Sequence, residues 1–154
     1  MSKALVLACG NSQRGDDGVA LQVVDYLWND LCPPTAEFHC QQQWTPELAE
    51  PISQAEIVIF VDAAVGAPSG SIACRRLQPR PTASLTSTHN TSPDFLLLLA
   101  EALYGKSPAR AYFITIMGDS FELDETLSDP VRDAIPRSGE RIKALLSEVP
   151  MRED

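Results

Sequence analysis

The apolar positions of the chain fall into short continuous runs that alternate with longer, helically spaced stretches. Residues 3–9 (KALVLAC) form an apolar run closed by Gly10, the form of a strand buried on both faces. From 17 to 31, Val19, Ala20, Val23, Val24, Leu27, Trp28 and Leu31 recur at i, i+4 and i+8 with their neighbours. That spacing predicts a helix with those residues on its buried face. Residues 36–41 (AEFHCQ) predict a second, short strand. In TPELAEPIS, Thr45 is expected as N-cap and Pro46 as the first residue of a brief helix. EIVIFVDAA predicts a third strand ending at Asp62. SIACRRL (71–77) follows a loop too short for a crossover helix, so it is expected as an antiparallel strand. Ser92 and Pro93 open a helix, PDFLLLLAEALYG, that Gly105 closes, and RAYFITIM is a fifth strand. A last helix is expected to start at Ser128 and Pro130, break near Pro136 and resume to about Val149.

This order of elements predicts one α/β domain over residues 1–154. Its form is a three-layer sandwich with a mostly parallel five-stranded sheet, one antiparallel strand and helices on both faces. Right-handed crossovers put strands two and three on either side of strand one. The loop after strand one then meets the end of strand three, at the crevice where open α/β sheets bind ligands. Asp16 and Asp17 reach that crevice from one side, Asp62 from the other, and His89 arrives on the TSTHN loop.

Composition narrows the partners. At 154 residues and 44% hydrophobic, the chain can build one core. A net charge of −9 argues against nucleic acid and against an anionic membrane surface. Neither a secretion signal pattern nor a bilayer-length apolar run is visible, so a soluble cytoplasmic protein is expected. The four cysteines, Cys9, Cys32, Cys40 and Cys74, form no C-x-x-C and are expected reduced and mostly buried.

The loop GNSQRGDDG is open to three chemistries. The glycines do not have dinucleotide spacing, and two carboxylates would repel a pyrophosphate. A phosphoacceptor receiver domain would use an Asp at the end of strand three, where Asp62 stands. Its acidic pair, however, follows strand one directly, and it needs a lysine where this chain has ITIMGDS. Asp17, Asp62 and His89 together offer two carboxylates and an imidazole, a set suited to nickel or zinc with positions left open. Singly, each has a plainer explanation: Asp16 or Asp17 as a helix cap, Asp62 as a turn residue, His89 as a surface side chain. Nucleophilic catalysis has little support, with no G-x-S-x-G elbow and no loop cysteine at the crevice except Cys9 at a strand end. His39, inside the second strand, reads as structural.

With these residues in place, LVLACGNSQRGDDGVA resembles the opening of the hydrogenase maturation proteases: a strand, then G-N, then D-[DE]-G-x-G. IVIFVDAA and STH fall where that family places its second and third metal ligands, and FELDETLSDPVRDAIPR resembles its C-terminal segment. The resemblance implies Asp17, Asp62 and His89 as metal ligands and catalytic residues, with Asp16 in a supporting catalytic role. It implies an endopeptidase, aspartic-type or metal-dependent, that removes the C-terminal extension of a [NiFe] hydrogenase large-subunit precursor. Nickel would arrive with that substrate, with cadmium or zinc as substitutes, and the protease is expected as a monomer. A nickel-binding or receiver-like module without enzymatic activity is the alternative. Two positions depart from the family pattern. Ala20 stands where the family has Gly, and CQQQWTPELAE replaces a Gly-rich Asp segment. The latter resembles a subgroup with Q-x-x-P-E, which implies substrate contacts at Gln42, Gln43 and Glu47. Trp44 is read either as a cap on the core or as a contact to the hydrogenase subunit.

Overall fold

The computed structural model describes residues 3–30, 36–78, 91–119 and 127–147. Five strands, β1 (Ala4–Cys9), β2 (Glu37–Gln41), β3 (Ile57–Val65), β4 (Ile72–Leu77) and β5 (Arg110–Gly118), form one sheet in the order β2-β1-β3-β5-β4. All neighbours are parallel except β4, which runs antiparallel to β5. The helices are α1 (Val19–Asp30), α2 (Ala49–Gln54), α3 (Pro93–Tyr104) and α4 (Asp129–Ser147). The expected α/β sandwich, with its single antiparallel strand, is the observed architecture.

The apolar runs of β1 and β3 follow from burial on both faces. Val6, Ala8, Ile57, Ile59 and Val61 point to the layer of α1 and α4, while Leu5, Leu7, Val58 and Phe60 point to the layer of α2 and α3. α3 begins as its sequence requires: the Phe95 N–H donates to Ser92 Oγ at 3.2 Å. It ends at Gly105, whose φ of +78° is the left-handed turn that favours glycine.

Four expectations change in detail. β3 does not end at Asp62 but continues to Val65, because β5 pairs with it as far as Val65 opposite Gly118. β1 stops pairing at Ala8 opposite Val61. Asp62 is therefore the first residue of β3 to outrun β1, and the sheet opens beside it. Thr45 caps a 3-10 turn over Pro46–Leu48, and the α-helical turns begin only at Ala49. Pro136 does not interrupt α4; it lies on the exposed face, where water can take the bond its missing N–H gives up. Trp28 leaves the buried face and is 57% exposed, because α1 there overhangs the edge strand β2, where the sheet runs out. Its ring meets Phe38 edge-on at 5.9 Å.

Val149, Leu31 and Cys32 lie outside the described residues. Of the other cysteines, Cys9 is buried, Cys74 is half-buried and Cys40 is exposed on the edge strand. No helix among the described residues is long and apolar enough to cross a membrane.

Candidate active site

The loop after β1 is folded onto itself. The Asn11 N–H donates to the Asp17 carbonyl at 3.3 Å and to Asp17 Oδ2 at 3.1 Å, and the Asn11 carbonyl accepts from Arg14 at 3.1 Å. A side chain at position 10 would collide with the Asp17 carbonyl, so the motif needs glycine there. The loop ends in a 3-10 turn, Gly15–Gly18, which leads into α1.

Successive side chains on a 3-10 turn project about 120° apart. The two adjacent aspartates therefore serve different regions. Asp16 is 1% exposed and turns inward. Its Oδ1 accepts the Ser128 N–H at 2.8 Å, and its Oδ2 accepts the Asp119 N–H at 2.7 Å and the Ser128 hydroxyl at 3.0 Å. It thus ties the loop to the end of β5 and to the N-terminus of α4, where the helix dipole also favours a negative charge. Asp16 does not line the crevice, so its part is to hold the loop rather than to touch substrate.

Asp17 faces the other way, into a crevice of about 570 Å³ that it lines with Asp62, Cys9 and the segment Gln42–Pro46. Asp62 Oδ1 accepts the Ala63 N–H at 2.7 Å, and Trp44 lines the crevice with it. Burial pushes the Asp62 carboxyl up to about 6; the negative charge of Asp17 adds to this, against the lowering effect of the Ala63 N–H and, more weakly, of the Trp44 side chain. Asp17 is also raised by burial, partly offset by the Asn11 N–H and by Arg14. Among the described residues that line the crevice there is no lysine or arginine. Two partly desolvated carboxylates without a cation between them are the complement of a divalent ion.

Cys9, 6% exposed, lies at the floor of this crevice. Burial, and then the charges of Asp62 and Asp17, push its thiol up to about 12. A thiolate nucleophile is therefore unavailable near neutral pH.

Gln42, Gln43 and Trp44 line the crevice as the sequence suggested, whereas Glu47 does not. The Glu47 carboxylate lies in the first turn of the 3-10 helix, where its own backbone N–H and the Thr45 side chain favour the charged form and lower its pKa. Trp44 packs its ring edge-on against Phe60 at 5.4 Å, as a cap on the core does, and it also lines the crevice. Sequence reasoning missed Thr45, Ala63 and Thr91, which complete the lining and carry no motif of their own. His89 lies outside the described residues. Among the described ones, no three His, Cys, Asp or Glu side chains gather closely enough to hold a metal. Asp17 and Asp62 form an open two-carboxylate site.

Fold and crevice together define an open parallel-sheet α/β protein with its site at the carboxyl edge, beside the strand where the sheet opens. Among solved structures, the fold is similar to the hydrogenase maturating endopeptidase HybD from E. coli, at 24% identity and a TM-score of 0.73 over 95% of this chain and 93% of that one. It is similar as well to a hydrogenase 2 maturation peptidase from a Thaumarchaeota archaeon (24%, TM-score 0.72, 95% and 99% covered). A third likeness is to the [NiFe] hydrogenase maturation protease HycI from Thermococcus kodakarensis (21%, TM-score 0.72, 96% and 94% covered). At these identities the likeness is one of fold. No family model and no curated protein matches the sequence.

Proposed function

We propose that this chain is a cytoplasmic endopeptidase that trims the C-terminal extension from the nickel-loaded large-subunit precursor of a [NiFe] hydrogenase. The observation that carries the reading is the pair Asp17 and Asp62, both raised in pKa, in a crevice that no described lysine or arginine lines. The fold, matched along nearly its whole length by proteins named as hydrogenase maturation proteases, supports it.

Nickel is cargo of the substrate. Asp17 and Asp62 would reach it from the protease side, and His89 would join them as third ligand. Gln42 and Gln43, exposed at the rim, would hydrogen-bond the backbone of an extended peptide. Bound nickel supplies Lewis acidity to the scissile carbonyl. Asp62, near pKa 6, is suited to accept a proton from attacking water around neutral pH.

The test is to incubate the protein with the matching nickel-containing precursor and follow the mass of the large subunit. Loss of the C-terminal extension with wild type, and its retention with Asp17→Ala or Asp62→Ala, is expected. Nickel binding without any shortened product would overturn the proteolytic reading in favour of a binding module.

A further inference from the structure

Three groups of Asn11 are engaged within the loop after β1. Its side-chain Oδ1 accepts the Gln13 N–H at 2.9 Å, which closes a local turn. Its carbonyl accepts the Arg14 N–H at 3.1 Å, and the Arg14 carbonyl accepts the Asp17 N–H at 3.1 Å. Its own N–H is shared between two acceptors of one residue, the Asp17 carbonyl at 3.3 Å and Asp17 Oδ2 at 3.1 Å. The preceding residue is held as well: the Gly10 N–H donates to the Gln41 carbonyl, at the end of β2, at 2.9 Å.

We propose that Asn11 is the positioning residue for Asp17: its side chain, by closing the turn on Gln13, aims the Asn11 N–H at Asp17 Oδ2. With the side chain tied to Gln13 and the carbonyl tied to Arg14, both backbone torsions of Asn11 are restrained. Its N–H therefore cannot swing off Asp17. An aspartate that meets one donor through both its carbonyl and Oδ2 has its side-chain rotamer set. Oδ2 is engaged by the loop, and Oδ1 is the oxygen presented to a ligand. A cation then meets a carboxylate that is already aimed, and losing an outer partner of this kind weakens a metal site. Alanine at position 11 keeps the backbone N–H and removes only the acceptor that aims it. Serine offers a hydroxyl that closes the same kind of turn more weakly. This part of Asn11 rests on the proposed function, in which Asp17 meets a cation carried by the substrate.

Amide hydrogen exchange at residue 11 reads the aim directly. Asn11→Ala is expected to speed exchange there by roughly ten-fold, and Asn11→Ser to recover part of the protection. Asp17→Ala, which keeps the carbonyl and removes Oδ2, should speed it as well. Unchanged exchange at residue 11 in Asn11→Ala would overturn the proposal. Binding of cadmium ion alone, followed by calorimetry, is expected to weaken by roughly ten-fold in Asn11→Ala and to be partly restored in Asn11→Ser. In precursor cleavage, Asn11→Ala should lower kcat more than it changes KM. Tyr26→Phe removes the 2.8 Å bond from the Tyr26 hydroxyl to Glu140 on α4 and is the control for stability lost elsewhere. It should leave cadmium affinity and exchange at residue 11 unchanged. A lower melting temperature with unchanged cadmium affinity in Asn11→Ala would leave Asn11 a loop-stabilising residue and overturn the proposal. Absence of cleavage, with the exchange and cadmium results as expected, would uphold Asn11 as the support of Asp17 and count against the proteolytic reading alone.

Discussion

Two carboxylates at the carboxyl edge of the same sheet live under opposite conditions. Asp16 sits in the seam between the β1–α1 loop, β5 and α4, almost without solvent, and accepts from the Asp119 N–H and from the Ser128 N–H and hydroxyl at 2.7 to 3.0 Å. Asp62 sits in the crevice on the other side of the loop. The Ala63 N–H serves it, and burial with Asp17 nearby pushes its carboxyl up to about 6. The difference teaches how to tell a structural anion from a reactive one. Burial is common to both; what separates them is whether donors have been supplied to replace water. The seam uses a charge to close the structure. The crevice keeps one that a cation or a proton would still relieve.

The comparison is broken most severely at the seam. Asp16→Ala removes the acceptor for two N–H groups and one hydroxyl, and a loss of about 3 kcal/mol in urea unfolding is expected. Any loss of processing in that variant should follow the loss of fold. An Asp16→Ala protein of wild-type stability but without activity would move Asp16 from the seam to the chemistry.

The opposite result is expected in the crevice. The folded pKa of Asp62, about 6, lies above the ordinary value of 3.8, so the folded state holds the proton more tightly. The stability linked to this group is therefore fully present below pH 3.8 and lost as pH rises through about 6. Asp62→Asn cannot ionise. It should match wild type near pH 3.5 and exceed it by roughly 2 kcal/mol at pH 7, after allowance for solvent at this half-buried site, while abolishing processing. Equal pH dependence of the two proteins in thermal unfolding would show that Asp62 is not strained by its surroundings.

The smallest effect is expected from sulfur. Cys9→Ala should cost about 1 kcal/mol of stability through lost packing and leave cleavage in place. Alkylation should label exposed Cys40 first, without inhibition. Loss of cleavage on alkylation of a still-folded protein would contradict the thiol's raised pKa and bring back a cysteine mechanism.

The sheet was legible from the sequence because the double burial of β1 and β3 writes itself as unbroken apolar runs, and α3 because Ser92, Pro93 and Gly105 mark its two ends. The antiparallel placing of β4 followed from loop length alone. What local pattern could not convey was set by pairing or by three-dimensional contact. The extension of β3 past Asp62 depends on its register with β5, which no window of sequence contains. The parting of Asp16 from Asp17 comes from a 3-10 turn, whose three-fold period neither strand nor helix patterning reveals. Trp28 kept its helical spacing, yet the sheet ends beneath it. The edge-on contact of Trp44 with Phe60 joins a loop to β3, so only the folded structure displays it.

The central claim is that the crevice carboxylates await a cation carried by the substrate. The most direct measurement compares one large-subunit precursor purified with and without nickel, each incubated with this protein and followed by mass spectrometry for loss of the C-terminal extension. The nickel-loaded precursor should be shortened and the nickel-free one left intact, since the latter gives Asp17 and Asp62 nothing to bind. Equal shortening of both forms would contradict the claim.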